Sequence, residues 1–245
     1  MNRIHPTAII GKNVKMGDGN YVGPHCILEG EVEMGDDNYF DAGVITHHIV
    51  KIGSGCRFYP YVTLGFAGEM GAKGDKLPEN AGVEIGDKVT IREYVNVHAA
   101  YWWAATKIGD GTYIMNKAYL AHDVQIGKGA IVNAGVCLGG RAIVEDFANV
   151  GMGATVHQRS VVGESAMVGM NAVVKKHVPP FSIVAGVPAK ILKFNRVGAM
   201  RRGLEDLDWL EANFFQILKA PGKFNHYVAQ SVAVFYEKYP DGLRP

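Results

Sequence analysis

The chain has 245 residues, a formal net charge of +1, 48% hydrophobic residues and 20% charged residues. This balance suits a soluble globular protein and excludes an intrinsically disordered one. It also lacks the basic excess expected of a general nucleic-acid binder.

The N-terminus enters a repeat by Ile4, without the charged start and apolar stretch of a signal peptide, and no run approaches 18 uninterrupted apolar residues. A cytoplasmic protein without a transmembrane segment is expected. Cys26, Cys56 and Cys137 are scattered and without metal-ligand spacing, so they read as small core or corner residues in a reducing compartment.

From Ile4 the residues fall into blocks of six, led by Ile4, Ile10, Met16, Val22, Leu28, Met34, Phe40, Thr46, Ile52 and Phe58. A second run, residues 108–173, holds eleven hexads with no slip. Its fifth positions are mostly Ala, Val, Thr or Ser. A short fixed period marks a solenoid, in which each repeat buries its apolar edge against its neighbours. Six residues supply one short strand and a turn, so three units close a triangular coil of 18 residues. Such coils stack as parallel strands about 4.8 Å apart. The expected fold is mainly β, a parallel β-helix of hexapeptide repeats, with residues 18 apart stacked on one outer face.

Two breaks interrupt the count. Residues 66–82 are too polar and Gly-rich to continue a coil, and residues 99–107 carry Tyr101, Trp102 and Trp103. Loops inserted in a regular scaffold are favoured places for binding groups. The tryptophan pair suits interface packing equally well.

The repeat ends near Val178-Pro-Pro-Phe, because consecutive prolines cannot donate to a strand ladder. Val197, Met200, Leu204, Leu207, Leu210, Phe214 and Leu218 then recur at steps of three and four, which predicts an amphipathic helix stopped by Pro221-Gly222. Val228, Val232, Phe235 and Tyr239 mark a second helix. The expected organisation is a β-helix domain over 1–190 and an α-helical domain over 191–245. A helical pair of that size cannot hold a core alone, so it should pack on the solenoid or on a neighbouring subunit.

His122 occupies the third place of its hexad, an outward or corner position. Adding 18 gives Gly140 and adding 36 gives Gln158, so one column about 10 Å long holds a possible base, a bare backbone and an amide. A histidine accepts a hydroxyl proton near neutral pH, and a glycine leaves its N–H open to a developing oxyanion. Together they suggest acyl transfer. The same three residues also suit a solvated corner histidine, a turn glycine and an amide ladder. Asp123 is a weaker candidate for orienting His122, since neighbouring strand side chains diverge and pairing needs a corner distortion.

Four segments carry a wider likeness: Val83-Glu-Ile-Gly-Asp, Leu120-Ala-His-Asp, Val156-His-Gln and Gly198-Ala-Met-Arg-Arg-Gly. The sequence resembles the left-handed β-helix acyltransferases of the hexapeptide-repeat superfamily, and among them the UDP-N-acetylglucosamine O-acyltransferases of lipid A synthesis. The resemblance implies a homotrimer with active sites between subunits, an acyl carrier protein as donor partner, a nucleotide sugar as acceptor and no bound cofactor. It matches His122 to the catalytic base and Gly140 to the oxyanion hole. Asp75 with Lys76 or Lys73, His157, Gln158, Asn195, Arg201 and Arg202 match substrate-binding groups. Met170 falls where some members carry Gly at the end of the acyl groove.

Three positions depart from the family pattern. Tyr119 and Arg141 stand where histidines are typical, and Val197 stands where an acidic residue is expected. These departures open the acceptor to a nucleotide-sugar analogue, including a 3-amino sugar that would be N-acylated. The main rival is a sugar acetyltransferase using acetyl-CoA, suggested by Val184-Ala-Gly-Val-Pro-Ala-Lys. A zinc enzyme of the γ-carbonic anhydrase type, using His98, His122 and His157, and a noncatalytic scaffold that binds a nucleotide sugar are further alternatives; no metal is the expectation.

Overall fold

The computed structural model describes residues 1–69 and 77–240. Each hexad of the second run forms a two-residue strand, such as Tyr113–Ile114, Tyr119–Leu120 and Gln125–Ile126, followed by a sharp corner. Consecutive strands fall on successive faces, giving three stacks with 11, 9 and 8 strands among the described residues, all parallel except the last strand of the first stack. The register repeats every 18 residues: Tyr119 pairs with Cys137, and Cys137 pairs with Thr155. The triangular coil expected from the period is therefore the observed one.

Two positions of each hexad point inward. The leaders Ile114, Leu120, Val132, Leu138, Val144, Val150, Val156 and Val162 are fully buried, and so are the fifth-position residues Ala118, Val124, Ala130, Val136, Ala142, Ala148 and Ala154. The fifth position lies just past a corner, where the narrow coil admits only a small side chain. Ile4 departs from the inward expectation, being 46% exposed in the end coil of the stack.

The corner itself sits on the fourth position. Lys117, Asp123, Arg141, Phe147, Arg159, Ser165 and Asn171 all have φ between 52° and 62°. A left-handed conformation costs a residue with a Cβ about 1 kcal/mol, and these residues donate their N–H groups to the preceding coil, as Phe147 does to Lys128 O at 2.9 Å and Arg159 to Gly140 O at 3.0 Å. At the outward corners of the first coils, the N–H of Asp18 donates to Asp36 Oδ1 at 2.7 Å, Asp36 N–H to Ser54 Oγ at 3.0 Å and Ser54 N–H to Asp87 Oδ1 at 2.7 Å.

The second break is shorter than expected. The strand Asn96–His98 precedes it and the strand Ala105–Ile108 follows, so residues 105–107 belong to the coil. Past Val178-Pro-Pro-Phe the stack gains one more parallel strand, Ser182–Ala185, and then closes with an antiparallel strand, Lys190–Phe194.

The helical segment differs from the two predicted helices. The first is split into α1 (Arg196–Arg201) and α2 (Leu207–Lys219), and the second is α3 (Tyr227–Lys238). Gly203, with φ of +74°, ends α1 in a left-handed turn in which Leu204 N–H donates to Ala199 O at 3.1 Å. The apolar period continues across that break because Val197 and Met200 are apolar yet 57% and 58% exposed. Leu210, Phe214, Ile217, Leu218, Val228 and Val232 form a core with Phe181 and Phe194, which fastens the helices to the last strands.

Candidate active site

The 18-residue register places His122, Gly140 and Gln158 in one column, each two residues past the paired leaders Leu120, Leu138 and Val156. Backbone bonds lock the column: Arg141 N–H donates to His122 O, and Arg159 N–H donates to Gly140 O, both at 3.0 Å. The His122 ring lies against the Gly140 α-carbon so closely that a methyl group there would overlap Cε1 and Nε2. Glycine at 140 is thus required by space. Among the described residues the Gly140 N–H meets no acceptor, unlike the capped corner N–H groups of the first coils.

Asp123 makes the contact with His122 that strand alternation disfavours. Its left-handed φ of 62° is the corner distortion that turns its carboxylate back onto its neighbour, and Oδ2 lies 2.8 Å from His122 Nδ1. The carboxylate is fully buried, while the His122 side chain keeps 16% exposure. Burying a carboxylate requires donors, and they come from the second break. The N–H groups of Tyr101, Trp102 and Trp103 reach Asp123 Oδ1 at 3.1, 3.0 and 2.6 Å. Successive backbone N–H groups of this kind form an anion-holding concavity. Thr106 Oγ1 accepts from the Asp123 N–H at 2.9 Å and completes the cradle. With Asp123 accepting a proton shared with Nδ1, His122 presents the Nε2 lone pair on the Gly140 side. The pairing can therefore remove a proton and then return it.

Other side chains wall the histidine. Trp102 meets the ring edge-on with centroids 5.0 Å apart, and Gly68 packs so closely that an added Cβ would stand 3.1 Å from His122 Cβ. His98 is buried, contacts Tyr119 edge-on at 5.0 Å, and its Nδ1 has no partner among the described residues. Burial chiefly, and the neighbouring His122 secondly, hold the His98 imidazole below its ordinary value of 6.5, against the raising effect of Glu69. Burial, aided by Glu69, raises the Tyr119 phenol. The folded protein then binds fewer protons at His98 than the unfolded chain, so this contribution is complete above pH 6.5 and declines as pH falls towards the depressed value. His98→Phe is expected to flatten the acid side of the stability curve by up to about 1.4 kcal/mol per pH unit. Thermal unfolding of both proteins between about pH 7.5 and 5 measures this, and parallel curves would refute it.

The remaining expected residues fall in different surroundings. Gln158, the third member of the column, and His157 before it are exposed, with His157 Nδ1 3.1 Å from Gln158 O. Asn195 is buried and caps α1: its Oδ1 accepts from Gly198 N–H at 3.1 Å and its amide donates to Ser165 O at 2.7 Å. Arg201 is exposed. Arg202 pairs with Glu164 at 3.2 Å and lies over the Phe147 ring at 4.2 Å. Met170 is 65% exposed one coil beyond the exposed Met152. Lys73, Asp75 and Lys76 lie outside the described residues. No three His, Cys, Asp or Glu residues converge on a metal-sized site among the described residues. A groove of about 960 Å³ between the third stack and α3 contains none of the column residues.

Residues 105–140 match the family described as bacterial transferase hexapeptide (six repeats). Over 211 residues the chain is 42% identical to an acyl-[acyl-carrier-protein]--UDP-N-acetylglucosamine O-acyltransferase from Thermodesulfovibrio yellowstonii, covering 84% of this chain and 80% of the relative. The chain belongs to this O-acyltransferase family. Its fold is that of the family's solved structures. The Campylobacter jejuni UDP-N-acetylglucosamine acyltransferase superposes with a TM-score of 0.88 at 24% identity, covering 96% of each chain. The Moraxella catarrhalis UDP-N-acetylglucosamine O-acyltransferase superposes with a TM-score of 0.80 at 26% identity, covering 97% of this chain and 93% of the other. The stacked hexads are accordingly coils of a left-handed β-helix, against the usual right-handed preference of parallel crossovers.

Proposed function

We propose that this family member moves a 3-hydroxyacyl or related acyl group from acyl carrier protein to the 3-position of UDP-N-acetylglucosamine or a close nucleotide-sugar analogue. The observation that carries the reading is the His122 ring held between Asp123 and Gly140. His122 Nε2 takes the proton of the sugar hydroxyl as its oxygen attacks the thioester carbonyl. The tetrahedral oxygen receives the Gly140 N–H, a kind of donor worth about 10² to 10³ in rate. When the C–S bond breaks, the proton on Nε2 passes to the leaving thiolate, restoring the histidine. Asp123 stabilises the imidazolium in between, as the third member of a nucleophile-activating relay does.

The reading includes a cytoplasmic homotrimer with sites between protomers, and His157, Gln158, Arg201 and Arg202 as substrate contacts. Lys73, Asp75 and Lys76 would supply further contacts from the first loop. Mass spectrometry of products from a panel of acyl carrier protein donors and UDP-sugars tests it. Acylated UDP-sugar is expected from carrier-bound 3-hydroxyacyl donors, and the mass and lability of the product distinguish an ester from an amide. Turnover with acetyl-CoA but none with carrier-bound acyl groups would overturn it.

Met170 sets the acyl length in this proposal. Its side chain occupies space that glycine would leave open, so the parent should prefer short chains and Met170→Gly should gain on long ones. One methylene in an apolar pocket is worth about tenfold or more in kcat/KM. The ratio of long-chain to short-chain turnover is expected to rise at least tenfold, and an unchanged ratio would remove Met170 from that role.

A further inference from the structure

Beside the catalytic column runs a second column made of the corner residues. Asp123, Arg141 and Arg159 occupy the left-handed corner one coil apart, with φ of 62°, 62° and 61°, and His177 stands 18 residues further on. Arg141, Arg159 and His177 line a cavity of about 370 Å³ together with Trp103 and Tyr239. The Arg141 guanidinium is held by the two indoles, 5.5 Å from the Trp102 centroid and 5.3 Å from that of Trp103. That stacking fixes the planar fork before any ligand arrives, so less side-chain entropy is lost on binding.

The charge here has no carboxylate partner among the described residues. Arg92, Arg196 and Arg202 each pair with a carboxylate, whereas neither Arg141 nor Arg159 does so among the described residues. Asp123 is already occupied by three backbone N–H groups and His122, and Glu145 is held by Lys238 at 3.3 Å and Tyr239 at 3.0 Å. The cavity thus sets one indole-stacked guanidinium, that of Arg141, beside the exposed Arg159, neither with an acidic partner among the described residues, one residue beyond Gly140 and Gln158.

We infer that this cavity binds a phosphoryl group of a cosubstrate, through forked contacts from Arg141 and Arg159. Guanidinium groups match phosphate oxygens bidentately, and the volume accommodates a phosphoryl group with part of the molecule that bears it. Within the acyltransferase reading on which this rests, two sources carry such a group: the diphosphate of the nucleotide sugar and the phosphodiester of the donor's pantetheine arm.

Tryptophan fluorescence during titration with pyrophosphate and, separately, with 4′-phosphopantetheine reads binding without turnover, so it stands apart from the acyltransferase reading. The parent should bind at least one probe in a salt-sensitive manner. Arg159→Gln should weaken that binding about tenfold, Arg159→Lys less, and the double variant Arg141→Gln with Arg159→Gln should abolish it. In steady-state assays the loss should fall on KM more than on kcat: a rise in acceptor KM identifies the diphosphate, and a rise in donor KM identifies the pantetheine arm. Equal probe binding by parent and both Gln variants, or no probe binding by the parent, would overturn the inference. Unchanged melting temperature in Arg159→Lys separates lost binding from lost folding.

Discussion

His122→Ala is expected to lower kcat by about 10² to 10⁴ while leaving the fold intact. The magnitude is that of a positioned general base, since among the described residues of the cradle His122 alone presents a free basic nitrogen towards Gly140. Asp123 is buried behind the ring, and His98 is buried against Tyr119, whereas the ring that meets Gly140 is that of His122. The fold should survive because His122 sits at a coil corner and contributes nothing to the inward leader and fifth-position core. Asp123 keeps its three backbone donors in the variant, so its buried carboxylate is not left bare. Single-turnover measurement with a carrier-bound acyl donor, alongside thermal unfolding, gives both quantities. Parent-level turnover by a folded His122→Ala protein would leave the proposed chemistry without its base.

The parts of this site differ in how visibly the sequence carries them. The coil is legible because leader and fifth positions both face the core, so aliphatic and small residues recur at fixed steps. Once the coil is known, counting by eighteen brings His122, Gly140 and Gln158 together, because the pairing register repeats at that interval. Asp123 is harder to read. Alternation along a strand sends adjacent side chains apart, and only the left-handed corner reverses that rule. The donors that hold Asp123 are less visible still, since they are backbone groups of Tyr101, Trp102 and Trp103, and the side chains above them draw attention to their rings. What marks them is the interruption of the count one coil before His122. In the tail, Val197 and Met200 extend an apolar period over exposed positions, so the period hides the turn at Gly203 that splits the helix.

Gly140→Ala should be nearly as damaging as loss of the histidine, for a reason that does not involve the chemistry of residue 140. The added methyl would overlap Cε1 and Nε2 of His122. Relief has two routes. The coils could separate, but the Arg141 N–H to His122 O and Arg159 N–H to Gly140 O bonds tie those very corners across adjacent coils. The ring could swing away, but that breaks the 2.8 Å contact of Nδ1 with Asp123 and carries Nε2 off the reacting position. The second route is cheaper, so kcat should fall about 10²-fold, and overpacking should reduce stability by about 1 to 3 kcal/mol. Gly68→Ala provides a graded comparison: its methyl would approach the same side chain at 3.1 Å, a contact that a shift of a few tenths of an ångström relieves, and less than tenfold loss is expected. Kinetics and melting curves of the two variants side by side test the argument. Equal activity in Gly140→Ala and Gly68→Ala would show that the His122 to Gly140 contact does not set the position of the base.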